Sequence, residues 1–326
     1  MPFKFKIALI QFQPKVSEIH NTTKSISRTT LLTFPRQPLS PEANFVKAAS
    51  QIRAAVSRGS HLAVLPEYHL TSWAPEHSDF IASCTTSTAY LPRYQALARE
   101  LNIHIVPGTI IEPVKGPAQP DNVSDAPGPV VELRNLTYFI AASTGDLLST
   151  YQKKNLWQTE RGVLATARHT PHKAFDVPIL GHGAGGSTVR VGMLICWDLA
   201  FPEAFRELVA DGAQMIIIPA YWCINKINPK VLALNQKSEV AFLDSATVAR
   251  AYENTCVVAF CNAWGQSQVA MPILGTLGKL GVEEDGMTVS EVHLDVLNVA
   301  EEHYGVRTDF QGEEWHYSRC VTRPPK

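Results

Sequence analysis

Residues 189–222 read V-R-V-G-M-L-I-C-W-D-L-A-F-P-E-A-F-R-E-L-V-A-D-G-A-Q-M-I-I-I-P-A-Y-W, and no other stretch constrains the fold as strongly. The apolar run 189–195, interrupted by Arg190 and Gly192, has the composition of a strand buried on both faces. It stops at Cys196. Residues 197–201 form a turn, and Pro202 sits where a first helical position tolerates proline. Residues 203–210 carry a helical pattern that Asp211-Gly212 ends, and 215–218 start a second buried strand. The unit is strand, elbow, helix, strand, with a thiol on the elbow. A side chain there is expected to be exposed above the sheet edge, near helix-start N–H groups that stabilise a thiolate nucleophile. Cysteine is also among the most buried residue types, and one that ends an apolar strand often simply packs. This stretch alone does not separate the two.

The remaining chain supplies the context. Of 326 residues, 45% are hydrophobic and 18% charged, enough apolar material for a large core. The net charge is −1 with no basic or acidic block, so neither a nucleic-acid nor a membrane partner is signalled. Six cysteines (Cys84, Cys196, Cys223, Cys256, Cys261, Cys320) lie on or near apolar strands without C-x-x-C spacing, which argues against a disulfide framework and a zinc site. The N-terminal apolar stretch is too short for a signal peptide, and no run reaches the length of a membrane span. The expectation is a soluble, reduced, cytoplasmic protein.

In chain order, the pattern predicts a strand at 5–12, a helix at 43–58 and a strand at 61–65 that ends in Pro66-Glu67-Tyr68. Residues 17–40, with nine Ser or Thr in 24, read as a disordered insert. A helix follows at 86–101, split or kinked at Pro92, then a strand at 103–111 and a proline-rich loop at 113–129. Strands at 136–143 and 146–152 form a hairpin about Thr144-Gly145, and Lys153 ends the second. After the central unit come a long helical pattern at 229–254, strands at 256–262, 268–274 and 289–296, and a polar, aromatic tail at 301–317. The alternation indicates an α/β protein, and the strand pairs without helices between them suggest two partly antiparallel sheets.

Two local motifs are set aside. The G-x-G-x-x-G at 181–186 precedes a strand rather than following one, so it is a hairpin loop and no dinucleotide fingerprint. His169 and His172 have no further ligands nearby and Pro171 between them, so they read as surface loop. More informative is that Glu67, Lys153 and Cys196 each end an apolar strand, 86 and 43 residues apart. Individually each has a bland role; together they supply a base, a charge stabiliser and a nucleophile.

The sequence resembles the nitrilase, or carbon–nitrogen hydrolase, superfamily. The resemblance spans residues 6 to about 317 and rests on L-P-E-Y around Glu67, Y-Q-K-K-N-L-W-Q-T-E from Tyr151 and I-C-W-D-L-A-F-P-E around Cys196. D-G-A-Q-M-I-I-I-P-A and R-A-Y-E-N-T-C-V-V-A-F-C-N-A-W-G support it. It implies one hydrolase domain over 1–326, a four-layer α-β-β-α sandwich with two mixed sheets, and a Glu67–Lys153–Cys196 triad. The Y-x-K pattern selects Lys153 over Lys154, and the family's further acidic residue falls on Glu160, to orient substrate or base. The N–H of Trp197 would share the oxyanion with Lys153. Tyr68, Trp197 and Trp222 are candidate pocket walls, with Phe201 near them. Asn155 departs from the His that many members carry there. No cofactor or metal is implied.

The resemblance implies a thiol-dependent hydrolase of a small amide, through a Cys thioester. A nitrilase converting a nitrile to acid and ammonia is the alternative, and Asp198 favours amidase because nitrilases tend to carry Glu at that position. A third reading is a catalytically silent oligomeric binding protein. A homodimer or higher homo-oligomer is expected, with Phe201, Phe205 and Leu208 available near one helix face. Ala200 stands where branches acting on carboxylate-bearing substrates carry an arginine, so neutral substrates are expected unless Arg161 or Arg250 folds over the site.

Overall fold

Period-two alternation in strands buried on both faces determines how the layers stack. The computed structural model describes residues 4–14, 39–115, 131–179, 188–225, 227–282, 285–313 and 315–317. Its strands in chain order are β1 (Lys4–Gln11), β2 (Leu62–Val64), β3 (His104–Val106), β4 (Ile110–Lys115), β5 (Val131–Ile140), β6 (Leu147–Gln152) and β7 (Leu164–Ala165), then β8 (Phe175–Pro178), β9 (Thr188–Met193), β10 (Met215–Ala220), β11 (Val257–Asn262), β12 (Gln268–Met271), β13 (Gly275–Lys279) and β14 (Gly286–His293). The helices are α1 (Pro41–Ser57), α2 (Phe80–Ser87), α3 (Leu91–Leu101), α4 (Pro202–Ala210), α5 (Pro229–Leu234), α6 (Ser238–Asn254), α7 (Asp295–Tyr304) and α8 (Val306–Gln311).

The described residues form two mixed sheets. One runs β14-β1-β2-β3-β5-β4, with β6 and β7 also on β5; the other runs β13-β12-β11-β10-β9-β8. Ile7 and Leu9 of β1 and Met215 and Ile217 of β10 meet in the core between the sheets. Their neighbours Ala8 and Ile10 face outward onto α1 and α3, while Ile216 and Ile218 face α4 and α6. A one-residue slip would invert both sets, so the register is strongly fixed. The result is the expected α-β-β-α sandwich.

Several boundaries differ from the sequence reading, each for a local reason. The strand expected at 103–111 is two strands, because Pro107-Gly108 breaks it and Gly108 has φ +60°. The helix expected from 86 begins at Phe80, passes through a 3₁₀ turn at Thr88–Tyr90 and restarts with Pro92 in the first turn of α3. The pattern at 229–254 is two helices: Asn235 takes extended backbone, and its side chain accepts the Lys237 N–H at 2.9 Å, a competing local bond. The strand expected at 289–296 stops at His293, and α7 begins at Asp295. The supposed tail is helical as far as Gln311, and Arg307 donates to the Ala213 and Thr255 carbonyls at 2.6 and 2.9 Å. The glycine-rich β13 carries no pattern signal. His169 is exposed as expected, but His172 is buried and stacks on Tyr151.

Phe205 and Leu208 are not available for a partner. Both are buried against their own sheet, so they give a dimer no support. Most of the 17–40 insert, the 181–186 motif and most of the 113–129 loop lie outside the described residues.

Gly108 determines where Glu67 sits. A Cβ there would lie 1.9 Å from the Pro66 carbonyl oxygen, and the positive φ is itself unfavourable for other residues. Gly108→Ala is therefore expected to destabilise the protein by at least about 1–3 kcal/mol, the range for a strained backbone position. Chemical denaturation checks this, and an unchanged midpoint would refute the close approach.

Candidate active site

Glu67 follows β2, whose extension is held by the Leu65 N–H bond to the Val106 carbonyl at 2.9 Å. Tyr68, immediately after it, has φ +53° and donates its N–H to Thr109 Oγ1 at 3.1 Å. Lys153 follows β6, and its N–H bonds the Asn135 carbonyl of β5 at 3.0 Å. Cys196 follows β9 at the start of a 3₁₀ turn, Cys196–Ala200, with φ +46°. Positive φ at two non-glycine residues of one site is local strain that surrounding bonds must hold. At the elbow Asp198 does this: Oδ2 accepts the Ile195 N–H at 2.9 Å and the Tyr151 hydroxyl at 2.8 Å. Its Oδ1 accepts the Asn155 backbone N–H at 3.0 Å and side-chain N–H at 2.8 Å. Asn155 thus binds the lysine segment to the cysteine elbow.

The fold brings the three separated strand ends together. The Lys153 ammonium, 0% exposed, donates to Glu67 Oε1 at 2.8 Å and to Glu160 Oε1 at 2.6 Å. Glu67 Oε1 also accepts Asn135 Nδ2 at 2.8 Å, and Oε2 accepts the Tyr221 N–H at 2.9 Å. The Cys196 thiol and the Glu67 carboxylate are close enough to shift each other's ionisation. Glu160 accepts the Tyr68 hydroxyl at 2.5 Å and the Trp157 N–H at 2.7 Å. Lys154 lies outside this cluster, 3.7 Å from Glu207 and partly exposed.

Electrostatics differ from the thiolate environment expected of the elbow. Burial pushes the Cys196 thiol well above its ordinary range, and the Glu67 charge adds to this while Lys153 opposes it. The thiol is also only 7% exposed, not standing clear of the sheet edge. It therefore rests protonated. Burial likewise raises the Glu67 carboxyl, against the pull of Lys153. Burial disfavours the Lys153 charge, yet the adjacent Glu67 and Glu160 carboxylates raise its pKa and keep it an ammonium. A buried carboxylate with a raised pKa beside a protonated thiol has the chemistry that a base and a nucleophile require.

Cys196, Glu67 and Glu160 open on a cavity of about 540 Å³ whose walls include Tyr68, Trp197 and Trp222. Phe201 is not in that lining; it packs edge-on against Trp197. Arg161 and Arg250 do not line it either: Arg161 donates to the Leu156 carbonyl, and Arg250 pairs with Glu253. Among the described lining residues there is no arginine or lysine. Sequence reasoning missed Asn135, Tyr221, Trp157 and Glu239. Trp157 stood inside the lysine motif, and Asn135 stood just before the strand expected at 136–143. No group of three or more described His, Cys, Asp or Glu residues is arranged to hold a metal ion.

The chain is similar to several known proteins. The chain is 25% identical over 269 residues to the omega-amidase NIT2 of Homo sapiens, covering 78% of this chain and 84% of that one. It is 25% identical over 227 residues to the 2-oxoglutaramate amidase of Bacillus subtilis (strain 168), covering 70% and 72%. An amidase from Nesterenkonia sp. superposes with a TM-score of 0.63 at 22% identity, covering 92% and 95%; a variant of it was captured with acrylamide added to its active-site cysteine. The family model for carbon–nitrogen hydrolases matches residues 6–301, and the chain belongs to that family.

Proposed function

We propose that the protein is an amidase working through Cys196, with residues 1–326 acting as one hydrolase domain. The observation that carries this is a thiol and a carboxylate on one cavity, with the Lys153 ammonium bonded to that carboxylate just behind its wall. Glu67 takes the Cys196 proton as sulfur attacks the amide carbon, so the thiolate forms only as the bond is made. The Lys153 ammonium and the Trp197 N–H stabilise the tetrahedral oxyanion, each donor contributing roughly 3 kcal/mol. Protonated Glu67 gives its proton to the leaving nitrogen, and ammonia or an amine departs. Glu67 then deprotonates a water that attacks the thioester, which releases the acid and returns the proton to sulfur. Glu160 fixes Lys153 and Tyr68 at the cavity edge. The relatives named as amidases support amides over nitriles as substrates.

Cys196→Ala is expected to abolish ammonia release with the melting temperature retained. Lys153→Met should lose nearly all activity and, by leaving two buried carboxylates unmatched, about 3–5 kcal/mol of stability. Lys154→Met should lose little of either. Equal losses at Lys153 and Lys154, or turnover in Cys196→Ala, would overturn the assignment.

Because Glu67 must be ionised to accept the proton, kcat/KM should fall as pH drops through its raised pKa. The acid limb should therefore lie above the ordinary glutamate value of 4.5. A limb at or below that value would show that another group is the base. Lys153, held charged, should cause no loss on the alkaline side below the ordinary lysine value of 10.5.

The cavity lining lacks a cation among described residues, so a substrate carboxylate would be buried unpaired. Neutral amides should thus be cleaved in preference to carboxylate-bearing analogues of equal length, unlike a relative named for the anion 2-oxoglutaramate. A tenfold carboxylate preference in kcat/KM, about 1.4 kcal/mol, would reverse this. A cytoplasmic setting, which keeps Cys196 reduced, and a homodimeric unit complete the reading on the family resemblance. A monomeric mass by light scattering at micromolar protein would reject the dimer.

A further inference from the structure

The cavity carries one carboxylate that the chemistry above does not use. Glu239, in the first turn of α6, lines the same cavity as Cys196. Its Oε2 accepts the Trp222 indole N–H at 2.6 Å, and Ser238 Oγ stands 3.5 Å from Oε1. No ion pair to Glu239 is present among the described residues, whereas Glu67 and Glu160 both share the Lys153 ammonium. The hydrogen-bond donors to Glu239 among the described residues are neutral. The indoles beside it form a chain back to the nucleophile: Trp222 and Trp197 have centroids 5.2 Å apart, and Trp197 and Trp157 are 4.6 Å apart. Aromatic faces attract cations through the ring quadrupole, and tryptophan does so best. An acid in a first helical turn also complements the helix dipole, so Glu239 has a structural role. That role requires no position on a cavity wall.

We propose that the cavity selects amides whose end remote from the scissile bond carries a cation, a primary ammonium or a guanidinium, held by Glu239 and faced by Trp222, Trp197 and Trp157. Glu239 is a specificity-determining residue, and the inference rests on the amidase reading. Charge accounts for both halves of the selection. A carboxylate end would meet Glu239 as a like charge, while an ammonium end finds an acceptor that has no cationic partner among the described residues.

The test compares three amides of matched length: 5-aminopentanamide, hexanamide and adipamic acid. The wild-type kcat/KM for 5-aminopentanamide should exceed that for hexanamide by tenfold or more, mostly through KM, with adipamic acid lowest. Glu239→Gln keeps an oxygen to accept the Trp222 N–H and removes only the charge. The cation-to-neutral ratio should fall about tenfold in that variant, and a ratio cancels any general loss. Glu239→Lys should place adipamic acid above 5-aminopentanamide. Calorimetric binding to the Cys196→Ala protein gives a readout independent of turnover, with 5-aminopentanamide tightest. Hydrolysis of hexanamide without cation preference, or a ratio unmoved in Glu239→Gln, overturns this inference and leaves the amidase reading standing. Glu239-dependent binding of the cation without ammonia release from any of the three overturns the amidase reading alone. Neither binding nor turnover overturns both.

Discussion

The buried ammonium of Lys153 between two carboxylates is the interaction on which the site depends. Moving one charge out of water costs several kcal/mol, and three fully enclosed charges persist only where geometry and hydrogen bonds repay that cost. Here Asn135, Tyr68, the Tyr221 N–H and the Trp157 N–H complete the coordination of Glu67 and Glu160. The group has two negative charges for one positive. Burial raises the thiol above its ordinary range and the Glu67 charge adds to it, so the proposed scheme moves a proton rather than storing a thiolate.

The chemistry-bearing positions were legible because each sits at the end of a strong local signal. Glu67, Lys153 and Cys196 close apolar runs, and the alternation that buries those runs also fixes which way their ends point. Lys153 and Tyr151 fall on the same side of an extended segment, and both reach the site network, as period-two geometry requires. What stayed hidden was governed by distant contacts. The break at Gly108 is dictated by the Pro66 carbonyl, which is far away in sequence, and no composition rule announces it. The split at Asn235 turns on one side chain capturing a backbone N–H in place of a helical bond. Cys196 was expected to stand exposed at its elbow, but walls such as Tyr68, Trp157 and Trp222, tens of positions away, join Trp197 around it.

The cavity walls show how a neutral surface and a charged interior can be combined. Indole and phenol rings exclude water from the thiol, which strengthens every electrostatic contact inside. They also leave the carboxylates at the rim as the dominant local field. Asp198 is the mechanical counterpart: by accepting bonds from Ile195, Tyr151 and Asn155, it fixes the strained cysteine turn to the segment that carries the lysine.

Glu67 and Lys153 follow strands of one sheet and Cys196 follows a strand of the other, so neither half of the sandwich holds all three parts of the proposed centre. Glu67 also accepts a hydrogen bond from the N–H of Tyr221, just beyond β10 of the opposite sheet. Reactivity is therefore a property of the interface between two layers and not of any segment. A chain whose two sheets have not docked would present Cys196 apart from Glu67 and Lys153.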